Sequence, residues 1–113
     1  MATQKRFDNN FTRRFNEIIE ANLSNERFGV SELAHEMHMS RSNLHRRIKS
    51  VTGTSVSQFL RKTRLNQALA LLKEGSLTVS EVAFRVGFGS PAYFTKCFRD
   101  YFGFPPGETE IAH

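Results

Sequence analysis

Tryptophan is absent, proline occurs three times, and Cys97 is the only cysteine among 113 residues. One thiol excludes an internal disulfide and suits a reducing compartment. No apolar run approaches the ~18 residues that a membrane-spanning helix needs, and no signal-peptide pattern opens the chain. The cytoplasm is therefore the expected location, with no membrane contact by this segment. Acid is also in short supply, with 11 Asp and Glu against 16 Lys and Arg, a formal net charge of +5. That balance suits a polyanionic partner such as nucleic acid or an acidic membrane surface, although charge alone identifies neither. Eleven phenylalanines stand in for the missing tryptophan and supply much of the bulky core. At 39% hydrophobic residues a packed core is within reach, and the length fits one domain or two very small ones sharing a core.

The apolar period is helical almost throughout, and no stretch alternates as a strand would. Phe11, Phe15, Ile18, Ile19 and Leu23 fall on one stripe of a first helix. The opening "MATQKR" lacks such a period and reads as part of a flexible arm over residues 1–10. A short second helix, Val30 to His38, carries Leu33, Ala34 and Met37 inward. Ser40 reads as the N-cap of a third helix, Arg41 to about Thr52, which Gly53 ends. Ser55 and Gln58 form a capping box that opens a long fourth helix, with Leu65, Ala68, Leu69 and Leu72 on its stripe and Gly75 at its end. Thr78 and Glu81 open a fifth helix, which ends near Gly87. Ser90 and Pro91 read as N-cap and first turn of a sixth, which runs to about Phe102. Gly103, Pro105 and Pro106 end it, and Pro106 starts one last turn. The expected fold is all-α, with about seven helices.

One phrase occurs twice. Val30, Ser31, Glu32, Leu33 and Ala34 return 49 residues later as Val79, Ser80, Glu81, Val82 and Ala83. Leu44, Ile48 and Gly53 return 50 residues later as Phe94, Phe98 and Gly103, so one residue has been added within "GFGSP". Two copies are too few for a solenoid. Each copy is a short helix, a tight turn and a longer helix, the pattern of a helix-turn-helix. Ala34 and Ala83 fit a close crossing of the paired helices. The second helix of such a unit enters the DNA major groove and must have two faces. In the first copy Leu44, Ile48 and Val51 are expected to face the core, with Ser42, His45, Arg46 and Lys49 opposite. In the second, Phe94, Cys97, Phe98 and Tyr101 are expected inside, with Ala92, Thr95, Lys96 and Arg99 outside. Arg and Lys offer donors to guanine, and Thr and Ala can touch a thymine methyl.

The span from about Phe11 to Glu108 resembles the AraC-type DNA-binding domain of bacterial transcription regulators. The resemblance is carried by "VSELAHEMHMSRSNLHRRIKSVTGTSVSQFLRKTRLNQALALLKEG" and by "VSEVAFRVGFGSPAYFTKCFRDYFGFPPGE". It implies two helix-turn-helix subdomains, 11–54 and 76–108, on a linker helix over 55–75, followed by a tail at 109–113. It also implies that the two recognition helices enter successive major grooves of double-stranded DNA. The base-reading positions of that family fall on Ser42, His45 and Arg46, and on Pro91, Ala92, Thr95 and Lys96. Pro91 and Ala92 cannot donate side-chain hydrogen bonds, so the second unit reads less sequence, or reads it by shape and methyl contact. Ser40, Arg41, Lys49, Ser90 and Arg99 flank these positions and are expected to meet phosphates. Arg61 and Lys62 either keep the linker helix soluble or add phosphate contacts, which set affinity and register. Arg64 is expected to brace the linker helix against the two units. The wording is most similar to the output domains at the C-terminal end of hybrid two-component sensors. That similarity implies a piece of a longer sensor or regulator chain, with RNA polymerase as a further partner open to such a regulator.

Other chemistry fits less well. His35 and His38 spell H-E-M-H, not H-E-x-x-H, and zinc wants three or four ligands, so no metal or cofactor is expected. A helix surface with one half-buried histidine is the plainer reading. "GFGSPA" follows a helix rather than a strand, which removes the dinucleotide-binding reading, and Gly87 is expected to make a left-handed turn. Cys97 lies on the Phe94/Phe98 stripe, where a small buried thiol is the commoner finding. An enzyme is the least expected class. The alternative to DNA binding is a helical adaptor that sets its basic face against an acidic protein partner. It explains the charge but not the repeat.

Overall fold

The structure is a computed structural model that describes residues 2–109, with side chains from residue 10 onward. Six α-helices and one 3-10 turn follow one another, with no strand among the described residues. They are α1 (Ala2–Asn22), α2 (Val30–Glu36), α3 (Arg41–Thr52), α4 (Val56–Glu74), α5 (Val79–Arg85), α6 (Pro91–Phe102) and the turn Pro106–Thr109. The stretch expected as a flexible arm is helical backbone from Ala2 onward. It holds no glycine or proline, so the packed part of α1 propagates backwards without a breaker. The tail expected from residue 109 is also displaced. Thr109 is buried, and its hydroxyl has no hydrogen-bond partner among the described residues. Residues 110–113 lie outside the described residues.

Local signals set the helix starts. Ser40 Oγ accepts from the Asn43 N–H at 3.1 Å, and Ser90 Oγ accepts from the Tyr93 N–H at 3.2 Å. Ser55 and Gln58 bond reciprocally at 3.2 and 3.1 Å, as do Thr78 and Glu81 at 3.1 and 2.9 Å. Each such cap contributes about 1 kcal/mol. At α2 only half of a box exists. Glu32 Oε1 accepts from the Gly29 N–H at 2.9 Å, and Gly29 has no side chain to return the bond.

The apolar stripes form two cores. Phe15, Ile19 and Leu23 of α1 join Leu33, Ala34, Met37, Leu44 and Ile48, closed by Val56 and Leu60 from the start of α4. Leu65, Ala68 and Leu72 from the rest of α4 join Val82, Ala83, Val86, Phe88, Phe94 and Phe98. The strut α4 thus closes the first core and opens the second. The 49-residue repeat extends into it: Ile19 and Leu23 fall at Ala68 and Leu72, all buried. The plan α1–α2–α3 recurs as α4–α5–α6, so the strut is also the first helix of the second unit.

The same offset places Phe15 at Arg64. Arg64 is only 7% exposed and sits where α4 passes from one core to the other. Its Nη1 donates to the carbonyls of Leu23 at 2.7 Å and Val86 at 2.9 Å, and its Nη2 to those of Phe28 at 2.9 Å and Asn25 at 3.2 Å. Three acceptors come from the α1–α2 connection and one from the α5–α6 turn. Burial lowers its pKa from the ordinary arginine value, and four oxygens stand in for the lost water. The expected brace is therefore a bolt through both units.

Two expected core positions are corrected. Val51 is 51% exposed and Tyr101 42% exposed, and they are the same position of the repeat. The buried row follows the i, i+4 ridge, Leu44–Ile48–Thr52 and Phe94–Phe98–Phe102, instead of returning at i+7. Thr52 and Phe102 are half-buried at the ends of these rows. His35 and His38 are both exposed, so neither is the half-buried histidine expected. Cys97 and Leu69 are half-buried rather than fully inside. α2 ends at Glu36, short of His38, because the chain turns at Met37 and His38, where φ reaches 57°.

Candidate nucleic-acid interface

A helix can read DNA only if one face is free of the fold. Leu44 and Ile48 pin α3, and Phe94 and Phe98 pin α6, each with 0–2% exposure. On α3 this leaves Ser42, His45, Arg46 and Lys49 exposed, with Arg41 at the entry. A groove gathers Arg41, Ser42, His45 and Arg46 against Val30 and the α4 start, Ser55, Val56 and Ser57. The first-unit base-reading candidates therefore converge with Arg41; Ser55 beside them was read only as a cap, and Ser57 was not singled out in the sequence.

On α6 the outer positions are less open. Ala92, Lys96 and Arg99 are exposed, whereas Pro91 and Thr95 are half-buried. Lys96 lines a second groove with Gln58, Arg61 and Lys62 of the strut, flanked by Tyr93 and Tyr101 and by Asp100. The strut cations and the second recognition helix thus share one cleft, although 34 residues separate Lys62 from Lys96. Ser40 and Ser90 are exposed, and each already accepts an N–H as a cap. Their hydroxyl protons remain available to a phosphate oxygen.

Asn43 escaped the sequence reading. Arg46 Nη2 donates to Asn43 Oδ1, three residues earlier on the same exposed face. The spacing i, i+3 on a helix was the available signal. Next to it Arg47 turns inward and lies 4.3 Å over the Phe11 ring, while Arg14 donates to the Glu36 carbonyl at 3.3 Å. These contacts tie α1 to α2 and α3.

Two exposed carboxyls have lowered pKa values. Glu32 is held below the usual carboxylate range by the Gly29 N–H, and Glu81 by the Thr78 N–H and then its hydroxyl. Both sit in the first turn of the short helix of a pair, α2 and α5, so they act as caps. Among the described residues no cluster of three metal-binding side chains occurs, and no helix is long and apolar enough to cross a membrane.

Comparison with known proteins agrees with this geometry. Residues 33–110 match the model of a family described as a helix-turn-helix domain. The chain is 36% identical over 91 residues to "Histidine kinase P4" of Formosa agariphila, covering 80% of this chain and 7% of that protein. It is 42% identical over 89 residues to the "HTH-type transcriptional regulator GbdR" of Pseudomonas aeruginosa, covering 79% of this chain and 24% of that one. The chain therefore spans no more than about a quarter of these relatives. Its fold matches the DNA-binding domain of AdpA, described as a global transcriptional factor solved in complex with a target DNA. The TM-score is 0.77 at 34% identity, covering 88% of this chain and 91% of that one. With two helix-turn-helix units on one strut and these likenesses, the chain belongs to the AraC-type helix-turn-helix family.

Proposed function

We propose that this chain binds double-stranded DNA sequence-specifically as the output domain of a transcription regulator. The observation that carries the reading is the pair of two-faced helices, α3 and α6, each pinned by its buried row to a unit that Arg64 ties to the strut. Ser42, His45 and Arg46 read bases in one major groove. Ala92, Thr95 and Lys96, with Pro91 at the entry, face the next. Ser40, Arg41, Lys49, Ser90 and Arg99 take the flanking phosphates, and the cleft of Arg61, Lys62 and Lys96 takes the strand between the grooves. The strut of about five turns, about 28 Å long, suits helices set one duplex turn of ~34 Å apart.

The likeness to a histidine kinase and to a far longer regulator supports a place in a longer chain of a bacterial two-component system. The cytoplasm, where DNA lies, is the proposed location, and RNA polymerase is a proposed second partner.

The test is selection from a random duplex pool followed by affinity measurement over a salt series. A defined asymmetric site should emerge. Log affinity should fall with log salt at a slope of about −0.9 per phosphate neutralised. For roughly six contacts the loss between 50 and 200 mM salt is on the order of a thousandfold. An unselected pool with a flat salt response contradicts the reading and leaves the helical adaptor for an acidic partner.

A further inference from the structure

We propose that Asn43 is a positioning residue that presets Arg46 for base recognition, and that it makes the first unit the sharper reader of the two. The inference rests on the DNA reading above. Asn43 is fixed at the first turn of α3, where its N–H is bound by the Ser40 hydroxyl. Its Oδ1 accepts from Arg46 Nη2. Both side chains are exposed, so no packing compels this pairing. Arg46 stands between two hollows, one lined by Ser42 and His45, the other by Met39, Asn43 and Arg47. An untethered arginine at such a place samples both and must be ordered when it meets a base. The amide oxygen uses one of the two Nη2 hydrogens. The other, with those on Nη1, still offers the paired donors that match guanine O6 and N7.

The second unit lacks this device. Fifty residues on, Arg46 becomes Lys96 and Asn43 becomes Tyr93. Tyr93 has no amide oxygen, its ring lies 5.8 Å from that of Phe88, and lysine offers no planar fork. The two units therefore differ in how far a reading cation is fixed before DNA arrives.

A double-mutant cycle tests this on the selected site and on a site altered at the base pair that Arg46 reads. Asn43→Ala should weaken binding to the selected site about threefold to tenfold, the usual scale for ordering one long side chain. It should leave the altered site unchanged. In the Arg46→Ala background it should cost nothing, because there is no guanidinium left to place. Asn43→Asp, which keeps an acceptor, should retain the ratio between the two sites even as its charge weakens both. Equal loss with and without Arg46 would mean that Asn43 meets DNA itself and would overturn the inference. So would equal loss on both sites, or a thermal midpoint lowered by Asn43→Ala. A wild-type chain with no sequence preference would overturn the DNA reading and this inference together.

Discussion

The turn between paired helices is built from the same bonds in both units. Met39 N–H reaches the Ala34 carbonyl at 3.0 Å in the first, and Phe88 N–H reaches that of Ala83 at 2.9 Å in the second. The residue before each has positive φ, 57° at His38 and 91° at Gly87. One copy tolerates a histidine where the other has glycine. The difference lies in what passes beneath. A Cβ at Gly87 would stand 1.4 Å from Arg64 Nη1 and 2.2 Å from the Leu23 carbonyl. His38 is exposed, and the repeat places Phe15 in the first unit where the second has Arg64. The glycine is thus required by the bolt between the units and not by the turn alone.

Breaking that contrast should give the largest effect. Gly87→Ala adds left-handed strain and displaces Arg64 from its carbonyls, a loss of about 4–6 kcal/mol in urea unfolding. A loss under about 1 kcal/mol would mean that Arg64 repositions freely, and the units are not bolted. On DNA, Arg46→Ala should cost about 1–3 kcal/mol on the selected site, and Lys96→Ala less than about 1. Equal costs would remove the asymmetry between the two readers. His38→Gly relieves the strained turn of the first unit and should stabilise it by about 0.5–1 kcal/mol, net of glycine's greater chain entropy.

The smallest effect concerns the caps. Glu32 and Glu81 have folded-state pKa values below their unfolded values. Their contribution is complete above the unfolded value of about 4.3 and is lost as pH falls through the lower folded value. Thermal midpoints should be flat in this respect from pH 7 to about 5 and fall below about 4.3. Glu32→Gln and Glu81→Gln should each flatten that fall, and a fall unchanged by both substitutions would contradict the capping role.

What was legible in the sequence follows the range of the interactions. Caps at Ser40, Ser55, Thr78 and Ser90 need three residues of context, and all four formed as expected. The stripes needed only periodicity, and so did the outward faces of α3 and α6. Val51 and Tyr101 failed because periodicity does not say where a core ends. The bracing role of Arg64 was readable as an arginine on a strut at the junction of two repeats. Its acceptors were not, since they are loop carbonyls 22 to 41 residues away. The meeting of Lys62 and Lys96 in one cleft depends on how α6 packs against α4, which no local pattern encodes.

The central claim is that two unequal readers sit at a fixed separation on one rigid strut. Gel-shift titration of the purified chain over duplexes with altered spacing between the half-sites tests it most directly. Five added base pairs turn the second groove to the far face, and ten exceed the reach of the strut, so both should drop affinity towards the non-specific level. DNA bending would recover only part of this, at a cost of a few kcal/mol. Equal affinity at every spacing would contradict the account, since it would mean that a single unit engages the DNA.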